Sequence, residues 1–160
     1  MKIFLLTHER ELLRPSNTGV LAQSIAPEIV ERIIWARNTP NPSLLSAINN
    51  KNTVLLYPVD DADDADDADD APIESFENII LLDATWQEAR KIFNKSPYLK
   101  NLPRAQIKPR QASQYQLRRN QPEGGLCTAE CVVEILIAKN HIDIAGRLDA
   151  AFGLFNSKLQ

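Results

Sequence analysis

"NIILLDATWQEARKIF", residues 78–93, decides the fold class. Four apolar residues, Ile79 to Leu82, end at one aspartate, Asp83, and a helical pattern starts three residues later. A continuous Leu/Ile run bounded by turn residues suits a strand buried on both faces, as in a parallel sheet. "TWQE" is a capping box: Thr85 caps backbone amides and Glu88, three residues on, reaches back. Thr85 is therefore explained structurally. Trp86, Ala89 and Phe93 share one helix face, which suits a core position for Trp86 as well as a ligand platform. Asp83 ends the strand close to a helix N-terminus, where the dipole favours a negative charge. It reads as a turn cap or as an anion set at a ligand-binding edge.

The pattern repeats outward from this stretch. "KIFLLT" (2–7) and "TVLLYP" (53–58) are similar apolar runs, and "ERIIWAR" (31–37) supplies a fourth strand. Helical patterns fall at 18–26, 43–50, 86–95 and 128–140, and a last amphipathic helix at 141–159 is expected to break near Gly153. Strands alternating with helices predict an α/β fold, a mostly parallel sheet flanked by helices. Ligands then bind beyond the carboxyl ends of the strands, where Asp83 lies.

The chain has 160 residues, 44% of them apolar, which suits one domain with an ordinary core. No apolar run is long enough for a transmembrane helix, and "MKIFLLTHERE" lacks a secretory cleavage site, so a cytosolic protein is expected, with no membrane partner. Cys127 and Cys131 stand one helical turn apart, which reads as two small packing residues. With no C-x-x-C and no His/Cys cluster, neither structural zinc nor any other metal is expected. His8 and His141 are the only histidines, and neither has a partner pattern for nucleophilic catalysis or metal binding.

The net charge of −3 hides a segregated pattern. "DDADDADDADD", residues 60–70, holds eight aspartates and reads as a solvated, disordered loop. Without them 13 acids face 18 bases, a balance of +5. Residues 89–122 contain no acid at all and carry Arg90, Lys91, Lys95, Lys100, Arg104, Lys108, Arg110, Arg118 and Arg119. That block reads as the electrostatic footprint of a polyanion, most often nucleic acid, or as a basic solvent face. "RPSNTG" (14–19) places cap-forming residues and a glycine before a helix, where exposed amides bind carboxylate or phosphate. "EGGLCTAEC" (123–131) repeats the theme, with Thr128 as the expected cap and Glu130 in the first turn. No Walker-type loop, G-x-G-x-x-G or G-x-S-x-G is present.

Taken in order, "RPSNTG", "LLDATWQEARKIF", "SPYLKNLP" (96–103), "YQLRR" (115–119) and "CTAE" (127–130) resemble the DTW-domain family across nearly the whole chain. The motif that names the family stands here as Asp83-Ala84-Thr85-Trp86. The chain looks closest to bacterial tRNA-uridine aminocarboxypropyltransferases, which are related to SPOUT RNA methyltransferases. The resemblance implies a SPOUT-like fold with a C-terminal trefoil knot. It also implies S-adenosylmethionine as donor and transfer of its 3-amino-3-carboxypropyl group to N3 of a uridine in tRNA. Two features depart from the pattern: many relatives begin with a cysteine cluster where this chain begins at the first strand, and the acidic tract replaces an ordinary connector.

On that resemblance Asp83 is the expected catalytic residue, with orienting and electrostatic work ahead of base catalysis, because a carboxylate near a helix start is a weak base. Donor contacts are expected at Tyr57, Pro58, Leu81, Leu82, Trp86, Leu126, Cys127, Thr128 and Glu130. Asn17, Thr18 and Gly19 are expected to hold its amino-acid end or a phosphate. Arg14, Arg90, Lys91, Arg118 and Arg119 are the expected RNA-facing residues. A methyltransferase with the same donor and a non-catalytic RNA-binding module remain as alternatives. So does a protein-interaction domain that uses its acidic tract to hold basic partners.

Overall fold

A computed structural model describes residues 1–57, 72–107 and 126–158. Its centre is a five-stranded, all-parallel sheet: β1 (Lys2–Thr7), β2 (Val30–Ile34), β3 (Thr53–Leu56), β4 (Asn78–Asp83) and β5 (Arg104–Ala105), in the order β2-β1-β4-β3-β5. Parallel neighbours need crossovers. α1 (Gly19–Ile25) links β1 to β2, α2 (Pro42–Asn49) links β2 to β3, and α3 (Trp86–Asn94) with the short α4 (Pro97–Lys100) links β4 to β5, while α5 (Thr128–Ala138) and α6 (Ile142–Lys158) follow the last described strand.

Alternate strand residues feed two cores. Ile3, Leu5, Val54, Ile79 and Leu81 pack with α1, α5 and α6 on one face. Phe4, Leu6, Leu55 and Ile80 pack with Leu44 of α2, Ala89, Ile92 and Phe93 of α3, and Leu99 of α4 on the other. Ile3, Leu5, Leu55, Ile79 and Ile80 are fully enclosed, each contributing about 2–3 kcal/mol. This two-sided burial is why the strands read as unbroken apolar runs.

Local details differ from the sequence reading. The second strand runs Val30–Ile34 instead of 31–37; the Trp35 amide still donates to the Thr7 carbonyl (2.8 Å), and its indole N–H donates to Ser96 Oγ (2.8 Å). β5 and α4 have no counterpart in the reading: two and four residues carry no measurable periodicity. α6 does not break at Gly153. Buried Leu148 and Phe152 anchor the helix on its neighbours, and one exposed glycine costs only about 1 kcal/mol. The expected acidic loop (60–70), Pro58, Arg118 and Arg119 lie outside the described residues.

Candidate active site

β1 leads into α1 on one face of the sheet, and its neighbour β4 leads into α3 on the other. Chain directions therefore diverge between the carboxyl ends of β1 and β4, the place where open parallel sheets hold ligands. Thr7 and Asp83 are paired in register at that point. Residues 8–18 cross over it as a loop before α1 begins.

Asp83 is wholly buried. Thr7 Oγ1 donates to its Oδ2 (3.0 Å) and Thr128 Oγ1 to its Oδ1 (2.8 Å). Asn17 Nδ2 donates to both oxygens (3.0 and 3.2 Å) and to Glu11 Oε2 (3.0 Å). Asn17 Oδ1 accepts from the Val20 amide (3.1 Å) and from Arg32 Nη2 (3.1 Å). Arg32 Nε is buried without a hydrogen-bond partner, 3.7 Å from Asp83 Oδ2. Gly19 completes the enclosure: a Cβ there would lie 2.5 Å from Asp83 Oδ2. One carboxylate thus ties together the ends of β1 and β4 and the starts of α1 and α5.

Thr128 does not cap α5. Cys127 is the N-cap, in a box with Glu130, whose Oε1 accepts from the Cys127 amide (3.1 Å). The Thr128 hydroxyl is thereby free to reach Asp83. The Ala129 amide in the same turn donates instead to Thr18 Oγ1 (3.0 Å), so residues 17 and 18 brace both helix starts. Burial pushes the Cys127 thiol well up from its ordinary range, with the Glu130 charge adding to it, and neither Cys127 nor Cys131 is in a disulfide.

On the α3 side the expected capping box is present: the Glu88 amide donates to Thr85 Oγ1 (3.2 Å) and the Thr85 amide to Glu88 Oε1 (3.1 Å). Arg14 clamps the same carboxylate through both terminal nitrogens (2.8 and 2.9 Å) and also reaches Glu11 (2.7 Å). Burial would raise the Glu88 carboxyl, but hydrogen bonds from Arg14 and Thr85 outweigh it and hold it at about 2. Its hydrogen bond to Glu88 pushes Arg14 up in turn. Arg14, expected to face RNA, is one-third exposed and engaged with these two acids.

Trp86 is partly buried at the start of α3 and stacks on Tyr57 (centroids 5.9 Å apart), which stacks on Phe93 (4.4 Å). Arg104 lies over Phe93 at 4.5 Å. Trp86 is therefore the outer member of an aromatic row at the ends of β3 and β4. Leu81 and Leu82 lie within β4, Leu126 precedes α5, and Arg90 and Lys91 are exposed on α3.

Asp83, Asn17, Thr18, Gly19 and Thr128 come together as one cluster, and Tyr57 with Trp86 forms another beside it. Thr7, His8, Glu11 and Arg32 were not among the expected site residues. The available signal was the strand-end rule: Thr7 and His8 close β1 as Asp83 closes β4. Among the described residues no three His, Cys, Asp or Glu side chains converge as a metal site, and no helix is long and apolar enough to cross a membrane.

The chain matches curated proteins named tRNA-uridine aminocarboxypropyltransferase 2. The Macaca fascicularis protein is 30% identical over 146 residues, covering 88% of this chain and 49% of the relative. The Drosophila melanogaster protein is 26% identical over 146 residues, covering 84% and 55%. The Mus musculus protein is 28% identical over 137 residues, covering 84% and 46%. The chain thus spans about half the length of these relatives. No solved structure matches it. The DTW domain model matches residues 1–160, and with the D-x-T-W segment set at the divergence of β1 and β4, this chain belongs to the DTW-domain family.

Proposed function

We infer that this protein transfers the 3-amino-3-carboxypropyl group of S-adenosylmethionine to N3 of a uridine in tRNA. The observation that carries the reading is the place of Asp83-Ala84-Thr85-Trp86 at the carboxyl edge of β4, where β1 and β4 part. The names of the matched relatives and the exposed bases of α3 support it.

S-adenosylmethionine supplies an electrophilic carbon beside a sulfonium, and the acceptor is a weakly acidic N3–H. Alignment of these two centres can lower the barrier by several kcal/mol. Asp83 is enclosed by donors, so its part is to position the walls of the crevice: Asn17, Thr18 and Gly19 on one side, Thr128 on the other. Backbone groups around Tyr57, Leu81, Leu82 and 126–128 hold the donor, and Trp86 offers an aromatic face for a planar ring. Glu130 keeps the α5 start in shape through its box with Cys127. Arg90 and Lys91 face the tRNA phosphates.

The test separates this reaction from methyl transfer with the same donor. Donor labelled at the carboxyl carbon is expected to label tRNA, with methylthioadenosine as by-product, while donor labelled at the methyl leaves the RNA unlabelled. Methyl label in the RNA would replace the reading with a methyltransferase. Binding of tRNA with neither label transferred would leave an RNA-binding module.

A further inference from the structure

His8 is the first residue beyond β1, and its amide donates to the Asp83 carbonyl (3.2 Å). It thus stands at the divergence of β1 and β4, one residue along from the Thr7–Asp83 pair. Its side chain is on the α3 side. The imidazole stacks on Trp35 (centroids 6.0 Å, planes 23° apart), and Nδ1 lies 3.8 Å from Glu88 Oε2. The residue is only 5% exposed.

The hydrogen bonding of this ring is one-sided. Nδ1 accepts from the Arg10 amide (3.2 Å). A backbone N–H only donates, so the imidazole proton sits on Nε2. No described residue accepts from Nε2, and it is not among the buried, unpartnered atoms, which are Arg32 Nε and Tyr98 Oη. A nearly buried histidine thus stands at the edge where ligands of parallel sheets bind, with Nδ1 engaged by the Arg10 amide and no described acceptor at Nε2. A purely structural histidine so deeply placed would be expected to spend both nitrogens on the protein.

We propose that His8 is a catalytic residue whose Nε2–H donates a hydrogen bond to a carbonyl oxygen flanking N3 of the target uracil. The inference rests on the functional reading above and deepens it. An N–H donor held in this way suits a carbonyl oxygen as its acceptor. The bond strengthens as negative charge builds on that oxygen, so it favours the transition state over the ground state. An imidazole N–H polarising a carbonyl is an established device. In the step, the N3–H proton passes to solvent water and the N3 electron pair forms the bond to Cγ of the donor. The Cγ–S bond breaks with its pair returning to sulfur, which leaves as the neutral thioether methylthioadenosine. The Arg10 amide and the Trp35 ring fix the imidazole beforehand, so no reorganisation is needed during reaction.

The experiment uses the full chain, tRNA and carboxyl-labelled S-adenosylmethionine under single-turnover conditions. His8→Phe keeps a ring against Trp35 and removes the N–H. It is expected to lower the transfer rate about 10²-fold, with donor affinity unchanged and only a small fall in the urea midpoint from the lost acceptor for the Arg10 amide. His8→Gln, which restores an N–H near the Nε2 position, is expected to recover to within about tenfold of wild type. tRNA carrying 5-fluorouridine, whose N3–H is more acidic, should speed the Phe variant more than it speeds wild type. A Phe variant within threefold of wild type would overturn the proposal. So would equal losses in both variants without fluorouridine rescue, which would mark His8 as structural. Wild-type protein that transfers no carboxyl label overturns the functional reading and the proposal with it, whereas wild-type transfer with an indifferent His8 overturns the proposal alone.

Discussion

Gly19 and Asp83 are 64 positions apart and are shaped for each other. The glycine is there because a Cβ would meet Asp83 Oδ2 at 2.5 Å and Cγ at 2.9 Å. Gly19→Ala is therefore expected to push the carboxylate off Asn17 and Thr128 and to cost about 1–3 kcal/mol. Urea unfolding measures it, and a midpoint equal to wild type would show that the carboxylate has room to spare. In "RPSNTG" the cap-forming residues and the helix start are legible, but the reason for the glycine is not. That reason is an oxygen atom brought in by a distant strand. Asp83 itself was legible as the residue ending an apolar run. Its full enclosure was not, because Thr7, Asn17 and Thr128 come from three other segments.

At the scale of elements, α3 shows what local pattern can carry. Its capping box was readable because both partners lie within one turn, and the structure has it. The same reading applied to α5 put the cap on Thr128, one residue late. Cys127 is an unusual cap, and the threonine is drawn away by Asp83. The Arg14–Glu88 clamp that fastens the crossing loop to α3 spans 74 residues and leaves no local trace. It does leave a pH signature. Glu88 sits at about 2 in the folded protein against an ordinary value near 4.5. A lowered folded value means its contribution is complete above about pH 4.5 and is lost as pH falls toward about 2. With Arg14 partly in solvent, that contribution should be about 1–2 kcal/mol. Glu88→Gln should thus show lower stability at neutral pH and a flatter decline between pH 5 and pH 2, followed by urea melts across that range. Parallel curves for the two proteins would remove the clamp from the stability balance.

For the whole molecule, charge separation is the main feature. Residues 89–122 are free of acid, and Arg90 and Lys91 stand exposed on α3. If this face neutralises tRNA phosphates, affinity should fall by roughly 0.7–0.9 log units per log unit of salt for each phosphate contacted. Reversing Arg90 and Lys91 to Glu should weaken tRNA binding and lower that slope while donor binding stays intact. Filter binding across a salt series measures both, and an unchanged slope would take α3 out of the interface.

By itself the sequence determined the α/β class, four of the five strands, most helix spans and the placing of Asp83 at a strand end. These follow from periodicity and capping, which act within a few residues and leave a written pattern. The tertiary structure alone decided the strand order, the two-residue β5, the unbroken α6 and the company Asp83 keeps. It also placed His8 at the edge of the crevice and Arg14 on Glu88. Those outcomes depend on which strand ends become neighbours. Neighbourhood is set by packing two helical layers on one sheet, and no stretch of adjacent residues encodes it.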